Sequence, residues 1–158
     1  LSRVRALSPL DVRLKIAGPP DPRYPEAMEL AKELGLHHWI EWTGYLSPDE
    51  LVRAYQQADV FALLSKYEGF GLPVLEAMAS GTPVVCSNCA SLPEVAGDAA
   101  LLVDPTHIDE AADAILRILN DEALAAALRE KGLRQAAQFT WAKTAEATLD
   151  AYRRVVSE

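Results

Sequence analysis

An open α/β fold, with a parallel sheet covered by helices on both faces, is what this sequence predicts, and three features predict it. Short apolar runs at 12–17, 39–43, 60–65, 83–85 and 101–103 alternate with helical patterns of about ten residues, which is how βαβ units read. Residues 60–85 hold an apolar strand, a glycine-containing loop, a short helix and a second apolar strand in one unbroken stretch. A length of 158 residues suits a single domain, 1–158, with a core of its own.

Composition narrows the function classes. The net charge of -8 argues against a nucleic-acid binder or a domain held on anionic lipid by charge, since both need a basic face. No apolar run approaches the ~20 residues that span a bilayer, and no secretory leader is visible. Cys86-Ser87-Asn88-Cys89 leaves a strand late in the chain, whereas a redox CxxC opens a helix after an early one. Two unpaired thiols in a reducing, cytoplasmic setting are therefore expected. His37 and His38 are adjacent with no third ligand at metal spacing, so solvated histidines, and no metal site, are expected.

In chain order, Leu1, Val4 and Leu7 fall at helical spacing without a cap before them, and Pro9 ends the pattern, as in the tail of a longer helix. Residues 12–17 alternate as a strand, and Gly18-Pro19-Pro20-Asp21-Pro22 breaks it. A helix over 25–34 turns Ala27, Leu30, Ala31 and Leu34 inward, with Gly35 closing it. After the strand at 39–43, where at least one of Trp39 and Trp42 is expected in the core, Ser47-Pro48-Asp49-Glu50 forms a capping box. The helix it starts carries Leu51, Ala54, Tyr55 and Ala58 inward. Ser91 to Glu94 reads as a short capping turn. Thr106, Asn120 and Thr140 read as N-caps of three final helices. Inward stripes are Ala111, Ala114, Ile115, Ile118 and Leu119, then Leu124, Ala127 and Leu128, then Ala145, Leu149, Tyr152 and Val156. In the last helix Glu146, Asp150 and Glu158 offset the basic residues, so packing onto the protein is expected over membrane association.

The chemistry concentrates at residues 66–81. Gly69 and Gly71 flank Phe70 at the carboxyl end of a strand, where ligands sit in open α/β sheets, and Pro73 and Gly81 suit the start and end of the helix between. Leu72, Val74, Leu75, Ala77, Met78 and Ala79 make that helix apolar all round, which predicts a buried helix. Glu76 is its only charge and so requires hydrogen-bond donors, from protein or from sugar hydroxyls. Glu68 lies eight residues earlier. A loop acid near a helix dipole and a core Glu paired with an Arg is the bland alternative for the two.

Glu68-Gly69-Phe70-Gly71-Leu72-Pro73, Glu76-Ala77-Met78-Ala79 and Gly81-Thr82-Pro83-Val84-Val85, in this order and spacing, resemble the signature of the group 1 (family 4) retaining glycosyltransferases. The likeness continues through Leu92-Pro93-Glu94-Val95, Gly97-Asp98-Ala99-Ala100 and Val103-Asp104-Pro105. It implies the C-terminal, donor-binding half of a GT-B fold, with an N-terminal acceptor domain, a first strand, and an Arg and a Lys for the donor diphosphate all lying upstream.

The resemblance places Glu68 beside the donor sugar as the catalytic residue, and the nucleotide base near Tyr45 and Leu46, with Gly18 close to the ligand. It implies transfer with retention and no protein-held metal. Chemistry agrees with a nucleoside diphosphate sugar (UDP-, GDP- or ADP-linked) as substrate and with no covalently bound cofactor. A carboxylate accepts from two vicinal hydroxyls, which suits Glu76 for the ribose. Gly69, Phe70, Gly71 and Leu72, entering a helix, suit a phosphate. Lys66 could add charge, although a surface lysine is its plainer reading. Any membrane association would come through the absent domain, and the fragment alone is expected to be inactive. A non-catalytic nucleotide-binding module, or part of a nucleotide-sugar epimerase or phosphorylase, stays open.

Overall fold

The computed structural model describes residues 1–19, 21–23 and 25–156, so Pro20 and Glu158 lie outside the described residues. The elements are α1 (Ser2–Leu7), β1 (Leu14–Ala17), α2 (Glu26–Glu33), a 3-10 turn (His37–Trp39), β2 (Ile40–Gly44), α3 (Pro48–Gln57), β3 (Phe61–Leu63) and α4 (Leu72–Ala79). They continue with β4 (Val84–Ser87), α5 (Leu92–Ala96), β5 (Ala100–Val103), α6 (Ile108–Asn120), α7 (Glu122–Ala136) and α8 (Trp141–Val156). Every strand pair in the two sheets is parallel, as the alternation of patterns requires.

The expected single sheet is split. β1 pairs with β2, and β3, β4 and β5 form a second sheet in that order. In the doubly wound order 3-2-1-4-5-6, β2-β1 and β3-β4-β5 take the places 3-2 and 4-5-6. The break therefore falls at place 1, which no strand among the described residues occupies.

β4 is the centre of the core. Val84 and Cys86 pack with Tyr55, Val74, Leu75, Ala77, Met78, Leu92 and Val95 on one face. Val85 packs with Val103, Ala111, Ala114, Ile118, Ala125 and Leu128 on the other. A strand buried on both faces is the mark of a central parallel strand, and each such Val contributes roughly 1.5–3 kcal/mol. α7 closes on α4 through Gly132, where an added Cβ would lie 3.2 Å from Met78 Cγ. Trp39 and Trp42 are half-buried, and Arg5 covers Trp39 with its guanidinium 3.3 Å from the ring centroid.

Three helical expectations change. On α2 only Ala31 is buried, while Leu30 and Leu34 are exposed. On α8 no residue is buried, so Ala145, Leu149, Tyr152 and Val156 do not pack back onto this chain. On α7 Ala125, not Ala127, joins the core. Periodicity identifies residues that share a face but says nothing of what covers it. The capping box of Ser47 and Glu50 is present. Thr140 receives the Lys143 N–H at 3.2 Å. α6, however, is capped at His107, because Asp104 takes both the N–H and the hydroxyl of Thr106. α7 is capped by Asp121, which accepts from the Leu124 N–H at 2.9 Å, and Asn120 closes the preceding helix.

Candidate functional site

The loop between β3 and α4 is held by hydroxyls rather than by its own backbone. Ser65 donates to Glu68 Oε1 at 2.8 Å, which orients the carboxylate. Ser91 Oγ lies 2.9 Å from the Glu68 carbonyl and 2.8 Å from that of Phe70, so its single proton is shared between two turns of the loop. Cys89 Sγ sits 3.4 Å from the Lys66 carbonyl. Cys89 and Ser91 belong to the turn after β4, and because β3 and β4 are parallel, that turn emerges at the same carboxyl edge as the Glu68 loop. Ala90, between them, holds φ at 52°, a conformation that costs a non-glycine residue about 1–3 kcal/mol.

Ser91 and Ser65 are residues that sequence reasoning missed. Ser91 reads locally as a helix cap, but its side chain makes no capping bond and reaches across to the neighbouring loop instead. Only the pairing of β3 with β4 brings Ser91 against the Glu68 loop, whereas Ser65 acts on Glu68 from three residues away within that loop.

Gly71 initiates α4 with φ at 108°, and a Cβ there would meet Leu92 Cδ2 at 2.7 Å. The position excludes side chains twice over, by conformation and by contact. Phe70 packs edge to face on Phe139, ring centroids 6.1 Å apart, although both rings stay partly exposed. The Leu72 N–H has no acceptor within its helix, and Pro73 has no N–H to satisfy, so the start of α4 can receive an anion.

Glu76 differs from expectation. α4 is not apolar on all sides of its packing: Val74, Leu75, Ala77 and Met78 are buried, but Leu72, Glu76 and Ala79, at i, i+4 and i+7, form an exposed face. The carboxylate is therefore not desolvated. It does have a protein donor, since Tyr55 Oη of α3 donates to Glu76 Oε2 at 3.0 Å. Burial, and then the charge and hydrogen bond of Glu76, push the Tyr55 phenol well above its ordinary range, so it stays a neutral donor. Among the described residues neither Glu68 nor Glu76 takes part in an ion pair, which removes the reading of Glu76 as a core acid matched to an arginine.

At the carboxyl ends of β1 and β2 the structure joins two more predicted positions. The Gly18 N–H donates to the Gly44 carbonyl at 2.9 Å, with φ at 114° and 67° respectively. The next side chain, Tyr45, is 81% exposed and Leu46 is half-buried. Lys66 is exposed beside the Glu68 loop. His37 and His38 are exposed with their rings 3.9 Å apart. Cys86 is buried and its thiol pushed up to about 12 by desolvation. Among the described residues no group of three or more His, Cys, Asp or Glu could hold a metal ion, and no helix is long and apolar enough to cross a membrane.

A parallel α/β half with carboxylates, glycine turns and a helix start gathered at strand carboxyl ends defines the nucleotide-binding class of domain. Within that class, the family model for "Glycosyl transferases group 1" matches residues 2–135, and the chain belongs to that family. It is 46% identical over 115 residues to the O-antigen chain mannosyltransferase B of Escherichia coli, covering 73% of this chain and 30% of that protein. It is 36% identical over 151 residues to the MMP alpha-(1->4)-mannosyltransferase of Mycolicibacterium hassiacum, covering 93% and 36%. The chain thus spans about a third of the length of these relatives.

Among solved structures it resembles sucrose-phosphate synthase from Thermosynechococcus elongatus, with a TM-score of 0.86 at 31% identity over 99% of this chain and 41% of that one. The C-terminal domain of the group 1 family protein LpcC from Francisella tularensis gives 0.74 at 27% identity, covering 87% and 74%. Anabaena HepE, solved in complex with UDP, gives 0.86 at 21% identity over 98% and 44%, a likeness of fold. The fold is that of half a GT-B glycosyltransferase, the C-terminal half.

Proposed function

We propose that this chain is the donor-binding half of a retaining hexosyltransferase acting on a nucleoside diphosphate sugar, with mannose the sugar that its likeness to two named mannosyltransferases supports. The observation that carries the reading is the pair of carboxylates flanking the Gly71 turn, each oriented by a hydroxyl donor and, among the described residues, without an ion-pair partner. In this reading Glu76 accepts from the ribose diol, the backbone of Gly69 to Leu72 at the start of α4 receives the diphosphate, and Glu68 meets the transferred sugar. Gly18, Tyr45 and Leu46 attend the base. The helix terminus stabilises charge on the departing diphosphate, and no metal is required of these residues.

The acceptor is held by a second domain, and the vacant place in the sheet order is filled by a strand belonging to the same longer protein. Two observations support this: the break between β1 and β3, and the exposed apolar residues of α2 and α8. Positioning donor against acceptor supplies much of the rate, so the isolated chain binds donor without turning it over.

Calorimetric titration of UDP, GDP and ADP into the wild type and Glu76→Gln tests the central assignment. The expected loss is about 1–3 kcal/mol for whichever nucleotide binds, the worth of charge-assisted hydrogen bonds. Equal affinity in both proteins refutes it.

A further inference from the structure

We propose that Tyr55 is a positioning residue for the nucleotide site, its hydroxyl holding the Glu76 carboxylate in the orientation that receives the ribose diol. The inference rests on the reading of Glu76 given above. Tyr55 is 8% exposed and anchored at two points: its ring packs edge to face on Phe61 at 5.4 Å, and its carbonyl accepts from Oγ1 of the buried Thr82 at 2.6 Å. The phenolic tip is the one part aimed outward, and it meets Glu76.

Among the described residues Tyr55 is the one side chain that hydrogen-bonds the Glu76 carboxylate, and no ion pair restrains it. An exposed glutamate samples many rotamers, and a ligand that needs one of them meets an entropic cost that a single fixed hydrogen bond removes beforehand. A carboxylate offers about four acceptor positions, so a phenol occupying one on Oε2 leaves room for both hydroxyls of a diol. Because the phenol remains protonated, its proton stays available to the Glu76 carboxylate. A ring serving packing alone could equally be phenylalanine, and that makes the two roles separable.

The experiment uses the full 158-residue chain and reads the ratio of affinities for UDP over 2′-deoxy-UDP and for GDP over 2′-deoxy-GDP, by NMR titration. Tyr55→Phe is expected to weaken binding of the ribonucleotide about tenfold and that of the 2′-deoxy form, which keeps only the 3′-hydroxyl, by less, so the ratio shrinks. Glu76→Gln should shrink the same ratio, and the double variant should lose nothing further. Thermal midpoints of all three confirm that the fold persists. A ratio unchanged in Tyr55→Phe but collapsed in Glu76→Gln overturns the role of Tyr55 and leaves Glu76 on the ribose. A ratio unchanged in Glu76→Gln overturns the ribose assignment and the role of Tyr55 with it.

Discussion

Replacing Gly71 by alanine tests whether the site depends on the turn that starts α4. Two costs add. The backbone is held at φ 108°, which a residue with a Cβ adopts at about 1–2 kcal/mol. The new methyl would also lie 2.7 Å from Leu92 Cδ2, and Leu92 is fully buried, so it has no solvent-side rotamer to escape into. Forcing a methyl into a packed core costs about 1–3 kcal/mol. The sum is about 2–5 kcal/mol, and at ~2–4 °C per kcal/mol for a chain of this size the melting point should fall by roughly 10 °C. Gly69→Ala is the control: nothing lies within 4 Å of its Cβ position and its φ is not in the left-handed region, so the change should stay within about 0.5 kcal/mol. Urea and thermal unfolding followed by circular dichroism measure both. If Gly71→Ala melts within about 2 °C of the wild type, neither the strain nor the contact is as described.

Two further outcomes follow from the same structure. Burial raises the Cys86 thiol from 9.0 to about 12, so the folded chain keeps a proton that the unfolded chain releases; this stability is intact below pH 9 and is lost as pH rises toward 12, at about 1.4 kcal/mol per unit. Tyr55 adds loss of the same sign above its ordinary value of 10.0, and Cys86→Ala should therefore flatten the alkaline decline without abolishing it; an unchanged profile argues against the buried thiol. Glu68→Ala, placed in a two-domain parent that turns over, should cut turnover while leaving nucleoside diphosphate affinity nearly unchanged, and the isolated chain should show no transfer in the same assay. A parallel fall in nucleotide affinity would move Glu68 to the other end of the ligand.

What the sequence could report depended on whether the cause was local. The capping box at Ser47 and Glu50, the glycine at Gly71 and the parallel strands all follow from residues close together in the chain, and all are present. The likeness of residues 68–85 to the group 1 signature singles out both glutamates as candidates from the sequence alone. The exposure of Glu76 was not legible, because an apolar helix looks the same whether its outer face meets protein or a ligand. Nor were the distant donors: Tyr55 reaches Glu76 and Ser91 reaches the Phe70 carbonyl, each across 21 positions of sequence, whereas Ser65 lies three positions from Glu68. The uncovered faces of α2 and α8 misled for a related reason, since amphipathicity calls for a cover without saying which chain supplies it.

The nature of the donors bears on how the site works. Had Glu68 and Glu76 been held by arginine or lysine, each carboxylate would have been partly spent on a cation before any ligand arrived, and a neutral hydroxyl of ribose or sugar would have had to compete with it. Ser65 and Tyr55 orient the two carboxylates through neutral hydroxyls, which restrict rotamers without cancelling charge. Both carboxylates remain in contact with solvent, so neither bears the desolvation cost of a buried ion in the empty state. That cost falls when the ligand seats, at the moment its hydroxyls replace water as donors. The inner face of α4 supplies the rigidity that makes this orientation useful: Val74, Leu75, Ala77 and Met78 are all core residues on the same two turns that carry Glu76. The helix whose inner face packs into the core is thus also the one that carries Glu76, and in the proposed reading a substitution that loosens this core face should weaken nucleotide binding even though it touches no ligand.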